Sequence, residues 1–410
     1  MRSSLRLGTQ QMQIALHRVA TASMPRNLSI TRLVFSCVLL VLVFSCAAWA
    51  QGDKQRQLMR EAFVARQQGD NPLAAQKYEE LIRLYPGMVA AHANLGSVLA
   101  SLGRYDEASS QFRLALKADP GNPKLRFGLA RIYFKKGDFA TATQQLASLH
   151  QEEPGNVHIA SLLGDCYVHL HRYEQAIALL TPIEKARPGN LDLEWSLGMA
   201  LVGAGQFREG LVRVEKVAHQ GKRAVAYLLA AEVYLELTYY NEARQNADTA
   251  ARLDPKLPGV YTVSGIIDTY LGNEKAAVTA FKKALQFNPD DAQAHLQLGV
   301  VLYTERKLGD AEKQLNRALS LQPESSFARY ELARVERAQG HLQAAARDLE
   351  KAEREEPQWL PPHIELAAIY YLLKRPADGA RETRVVDQLM AEEQQRQSKK
   401  HTLSPPLPSP

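Results

Sequence analysis

Cys166 is the candidate nucleophile of this chain, and His158, His169 and His171 are the imidazoles near enough in sequence to serve as its base. A thiol needs such a partner to become a thiolate at neutral pH. The pair in His169-Leu170-His171 could also touch a metal, but no third ligand stands at metal-binding spacing. His92, His295 and His363 form a second set on paper. No HExxH helix, GxxxxGK[ST] phosphate loop, GxGxxG turn or G-x-S-x-G elbow occurs. The residues that could do chemistry are scattered, so the elements that hold them decide their meaning.

Those elements are short helices in pairs. In residues 89–122, His92, Leu95, Gly96 and Leu99 fall at i, i+3, i+4 and i+7, one helical face. Gly103 ends that helix. A second begins near Asp106 and carries Ala108, Phe112 and Ala115 on one face, until Pro120-Gly121-Asn122 stops it. Two such helices cannot bury their faces alone and must stack on copies. Pro86, Pro120, Pro154 and Pro188 are 34 apart, as are Pro255, Pro289, Pro323 and Pro357. The 67-residue gap from Pro188 to Pro255 is one 34 and one 33.

This layout resembles the tetratricopeptide repeat family. Leu95, Gly96, Tyr105, Ala108, Phe112, Ala115 and Pro120 fill its pattern in one unit. Leu163, Gly164, Tyr167, Tyr173, Ala176 and Pro188 fill it two units later. The resemblance covers residues 55–393 and implies an all-α, right-handed superhelical solenoid of ten helix-turn-helix repeats. The repeat starts are 55, 89, 123, 157, 191, 224, 258, 292, 326 and 360. In this register Cys166 faces the core as an inert thiol, and His92, His295 and His363 all take position 4, where they pack. Asp268 and Glu336 take position 11, normally aromatic or Leu. A buried carboxylate there needs an Arg from the adjacent repeat or a local shift that exposes it.

The family's groove uses positions 2, 5, 9, 12 and 13 of each first helix. Read out here, they include Lys124, Phe127, Arg131 and Phe134, then Trp195 and Met199, then Leu228, Glu232 and Leu235. Tyr303, Phe327, Tyr330, Arg334, Arg337 and Tyr371 complete the set. Aromatics interleaved with Arg are the side chains that dominate protein-binding hot spots. The family's carboxylate clamp is excluded, because its five places hold Met59, Phe63, Asn94, Lys124 and Gly128, of which two match.

Residues 1–32 are basic, 33–46 form an uncharged apolar run, and Ala48-Trp49-Ala50 follows. That order reads as a signal peptide over 1–50, with Met24 as a plausible true start. The competing readings are an uncleaved anchor over 33–50 and a lipidated Cys46. The array divides into 51–223 and 224–393. Its seam is the short repeat 191–223, which lacks the terminal Pro and is expected to change the pitch, or form a soft joint, near 219–224. The last repeat is degenerate, its second helix running on through residues 390–397, and a Pro-rich tail, 394–410, is expected to be disordered. The formal net charge of +6 with interspersed signs gives no nucleic-acid footprint. The expected protein is therefore a non-enzymatic scaffold with neither cofactor nor metal, exported to the periplasm or envelope or secreted. It binds a peptide or helix of another protein, and meets a membrane only through its N-terminal segment or Cys46. The alternative is a tethered partner subunit of an envelope enzyme or export complex, such as a glycosyltransferase, pilus or polysaccharide exporter.

Overall fold

The structure, a computed structural model, describes residues 53–403. The expected signal segment, with Met24, Cys46 and Ala50, and the last seven residues lie outside them. The chain divides into two compact units, with the boundary between Gln145 and Leu146. The first holds α1 (53–67), α2 (Asn71–Leu84), α3 (Val89–Ser101), α4 (Tyr105–Ala118), α5 (Pro123–Lys136) and the start of α6 (Phe139–Glu152). The second continues with α7 (Val157–His169), α8 (Tyr173–Ala186), α9 (Leu191–Gly203), α10 (Phe207–Gly221), α11 (Ala224–Glu236), α12 (Tyr240–Leu253) and α13 (Val260–Tyr270). It ends with α14 (Glu274–Phe287), α15 (Ala292–Thr304), α16 (Leu308–Leu321), α17 (Ser326–Ala338), α18 (Leu342–Glu355), α19 (Leu360–Leu372) and α20 (Pro376–Leu403). Odd-numbered helices are the first helices of repeats and even-numbered ones the second. The described residues are all helix and connecting turn, in consecutive helix-turn-helix pairs.

The Pro-Gly-Asn tripeptides do two jobs. Pro ends one helix, and Asn opens the next by accepting backbone N–H groups that have no partner inside it. The Oδ1 of Asn122, Asn156 and Asn190 each accepts from the amides two and three residues on, at 3.0–3.4 Å. At the turn inside each repeat, position 15 lies in the left-handed region. Six repeats put Gly there, among them Gly103 and Gly340, and the others use His171, Thr238, Arg306 and Lys374 at φ 56–64°. His171, a candidate metal ligand on sequence, is thus a turn residue, its Nδ1 2.7 Å from the Tyr173 hydroxyl.

Paired helices approach closely at the Leu-Gly positions. A Cβ on Gly96 would sit 2.8 Å from the Phe112 ring, and one on Gly164 would sit 2.6 Å from Leu180. Burial follows the same register: Leu95, Leu99, Ala108, Phe112 and Ala115 form part of the first unit's core. In the second unit Phe281, Leu298, Val301, Leu315 and Leu332 do the same, and Cys166 is fully buried. At the short repeat, Lys222 replaces the missing Pro as a left-handed cap after the 15-residue α10. Arg223 then pairs with Asp192 at 2.8 Å. The final helix α20 runs 28 residues to Leu403, past the expected start of the tail.

Candidate functional site

The three position-4 histidines are structural latches. In each, Nε2–H donates to the carbonyl of the Pro six residues back: His92 to Pro86 at 2.9 Å, and His295 to Pro289 and His363 to Pro357, both at 3.0 Å. Arg329 takes the same place and donates to Pro323. Each latch ties the start of a first helix to the turn that ends the preceding repeat. The other ring nitrogen, Nδ1, meets the side chain 19 residues on: the amides of Gln111 and Gln314 at 2.7 Å, and the Glu382 carboxylate at 3.0 Å. Around His363 a third group gathers, because Glu353, His363 and Glu382 bring their ligand atoms within 4.8 Å of one another. Burial raises the Glu353 pKa, and the Glu382 charge adds to it against His363 and Arg381.

The position-11 acids are resolved in two ways. Asp268, 6% exposed, forms an ion pair with Arg244 of α12 in the preceding repeat, the partner expected on sequence. Glu336 makes no ion pair among the described residues, and Arg347 only partly offsets the rise in its pKa. Burial lifts its carboxyl to about 7, and repulsion from Asp348 and Glu312 adds to the rise. When it carries a proton, it donates to Asp348.

A cleft of about 560 Å³ opens on the first helices α11, α13 and α15 of the second unit. Leu235, Ile266 and Tyr270 supply apolar wall, while Glu232, Glu236 and Asp291 supply carboxylates. These are groove places: Glu232 and Ile266 stand at position 9, Leu235 at 12, Glu236 and Tyr270 at 13. Tyr270 stacks on Tyr240 with ring centres 5.1 Å apart, which fixes one wall. Asp291 caps α15 by accepting from the Ala294 amide at 2.9 Å, and accepts from the Thr262 hydroxyl at 2.7 Å. Glu232 has no hydrogen-bond or ion-pair partner among the described residues. The crowding walls withdraw water from its carboxylate and raise its pKa, although the side chain opens to the groove. Farther along the first helices Asp165, also at position 9, is raised to about 6 by burial against the opposing Ser196 hydrogen bond.

Of the residues read from sequence, Tyr303, Phe327, Tyr330 and Arg334 come together. The Arg334 guanidinium lies 4.7 Å from the Tyr303 ring centre and 5.8 Å from that of Tyr330. Trp359, absent from the sequence reading, joins them at 5.1 Å from Tyr330 and 6.2 Å from Phe327. It caps α19 from outside the five groove positions, and a Trp directly before a first helix was the available signal. Arg334 is already paired with Glu331 at 2.8 Å, and Arg337 with Glu365. These two guanidinium groups therefore also serve the array itself. In the first unit, Phe134 packs edge-on to Phe139 at 5.4 Å. Lys124 and Arg131 are exposed, without an ion pair among the described residues, and Phe127 is half-buried. Trp195 and Met199 are half-buried on α9 and belong to the second unit.

Tetratricopeptide repeat models match residues 59–123, 302–359, 103–149, 133–200 and 224–257, and a TPR repeat model matches 265–305. Together they cover more than half of the chain. A crystal structure of a tetratricopeptide repeat protein from Parabacteroides merdae superposes with a TM-score of 0.53 at 17% identity, over 61% of this chain and 99% of that one. A chain of the APC/C hetero-tetramer Cut9–Hcn1 gives 0.53 at 14% identity, over 84% and 85%. Human Protein O-mannosyl-transferase TMTC1 is 31% identical over 124 residues, which is 28% of this chain and only 14% of that protein. Repeats of this kind generally serve as non-catalytic scaffolds for other proteins. With a repeating register, paired helices and matched models in agreement, the chain belongs to the tetratricopeptide repeat family.

Proposed function

We propose that this protein is an exported scaffold whose second unit holds a segment of another protein against α11, α13 and α15. The observation that carries this reading is the cleft at the groove positions, with apolar Leu235, Ile266 and Tyr270 beside an unpartnered Glu232. An apolar side chain suits the wall, and a neighbouring Lys or Arg on the segment relieves the desolvated carboxylate. The partner segment is therefore apolar with flanking basic residues. The Tyr303–Arg334–Tyr330–Trp359 platform extends the surface with aromatics whose arginine is already oriented by Glu331. Export rests on the order of basic, apolar and Ala-x-Ala segments in residues 1–50.

The test is capture from envelope extract by the parent chain beside a Glu232→Lys/Tyr270→Ala variant. Both positions face the groove, so helical content should not change. A partner held by the parent and lost by the variant supports the cleft, and equal capture by both overturns it. A second reading, a membrane-tethered partner of a glycosyltransferase, draws on the similarity to the human O-mannosyl-transferase. It requires residues 33–50 to be retained, and a purified protein beginning at Gln51 rejects it.

A further inference from the structure

The repeat supplies its own controls for the cluster at His363. Its two companions, His92 and His295, share the Pro carbonyl contact and the side chain 19 residues on, but that side chain is Gln in both. Ten residues before each histidine the same pair has Ile82 and Leu285. Only around His363 do both places change, to Glu382 and Glu353, and both changes bring a carboxylate oxygen within 4.8 Å of an imidazole nitrogen, Glu382 against Nδ1 itself. A latch alone needs neither, since the two other repeats form it without them.

The chemistry of the two arrangements differs. A Gln amide can turn over and offer Nδ1 either a donor or an acceptor. An ionised carboxylate offers only lone pairs. With Nε2–H donating to Pro357 at 3.0 Å, the neutral tautomer aims its Nδ1 lone pair at the Glu382 oxygen 3.0 Å away. His363 and Glu382 are each 2% exposed. Arg381 reaches the other oxygen of Glu382 at 3.4 Å, and leaves the one that faces the imidazole. Two carboxylates and one imidazole lone pair then converge where water is scarce, an arrangement that favours a small dication. A backbone carbonyl fixing the far ring nitrogen is how a ligating histidine is usually oriented.

We propose that Nδ1 of His363 and the carboxylates of Glu353 and Glu382 form a binding site for a divalent first-row transition metal ion, of which Zn²⁺ is the probe. Ligands of a tetrahedral Zn²⁺ lie about 3.4 Å apart. The buried pair is already close to that spacing, and the half-buried Glu353 supplies the adjustment. Three protein ligands leave a position for water. The ion would bind α18, α19 and α20 together.

The full-length chain, stripped with chelator, is titrated with Zn²⁺ alone against a chromogenic competitor. The parent is expected to take up one more equivalent than Glu382→Gln or Glu353→Gln, with each substitution weakening that site at least about tenfold. Glu382→Gln rebuilds the His–Gln pair that the chain already uses at His92 and His295, so it keeps the fold. Co²⁺ should give visible absorption of a tetrahedral centre in the parent and lose it in both variants. Uptake that is equal in the parent and the double variant overturns the site. So does no uptake by the parent up to about 100 μM Zn²⁺, which would leave the cluster as a latch strengthened by an ion pair.

Discussion

Asp268 on α13 and Glu336 on α17 stand at the same position of repeats two units apart, on a face that elsewhere takes apolar side chains. Twenty-four residues before Asp268 is Arg244, and twenty-four before Glu336 is Glu312. The first acid therefore pairs with a guanidinium, which also lies 3.5 Å from the Ser264 carbonyl. The second is pushed up to about 7 by burial and by Asp348 and Glu312, the latter accepting from Gln339 at 2.8 Å, with Arg347 offsetting only part of the rise. The same deviation from the repeat pattern is compensated in one place by an ion pair and in the other by a carboxyl raised toward neutrality. A position in such an array acquires its chemistry from the helix packed against it, so the repeat register alone cannot assign it.

The largest expected effect comes from breaking the compensated case. Arg244→Ala leaves a buried carboxylate without its cation, which costs about 3–5 kcal/mol. Adding Asp268→Asn should recover much of that loss, because no charge is then stranded. In a stacked array the damage is local, so it should appear as lost hydrogen-exchange protection in α12 and α13 before the rest of the chain opens. Unchanged protection in those helices would mean that the pair is ornamental.

The uncompensated case is tested by pH. Glu336 has a folded-state pKa near 7, above the ordinary Glu value of 4.5. The native state thus holds the proton more tightly than the unfolded chain. This contribution is fully present below about pH 4.5 and is lost as pH rises through about 7. Glu336→Gln removes the titration, so its melting temperature relative to the parent should rise between pH 5 and pH 8. A difference that stays flat across that window would show that Glu336 is ionised throughout. Glu312→Arg, which copies the Arg244 arrangement, should flatten the parent's own pH dependence.

Much of the fold was legible because its signals are local. The Pro-Gly-Asn stops, the Leu-Gly contacts and the apolar faces act within one repeat, and one repeat is what periodicity displays. The platform residues Tyr303, Tyr330 and Arg334 were found for the same reason, since groove positions recur. What escaped lies across helices. Trp359 sits at the last position of its repeat and becomes part of the platform only when α19 docks beside α17. Glu353 looks like any surface acid until its two equivalents, Ile82 and Leu285, are set beside it. The pairing of Arg337 with Glu365 was hidden too, because it crosses from α17 to α19, whereas the Glu331–Arg334 pair sits three residues apart on α17 and was legible locally.

The smallest effect changes no charge pair and uses the repeat between the two acids. Gly272 follows Asp268 and Gly340 follows Glu336, both left-handed at position 15, but the intervening repeat has Arg306 there at φ 61°. A left-handed non-Gly residue costs about 1–2 kcal/mol, and glycine returns part of that through greater freedom in the unfolded chain. Arg306→Gly should therefore stabilise by about 0.5–1 kcal/mol. The turn survives, because the amide at 306 still donates to the Tyr303 carbonyl at 3.0 Å. Arg306→Ala is the control, since alanine meets the same Cβ clash and should not raise the melting temperature. Equal gains from Gly and Ala would place the penalty in the arginine side chain, whereas a gain from Gly alone places it in the backbone, as the neighbouring repeats imply.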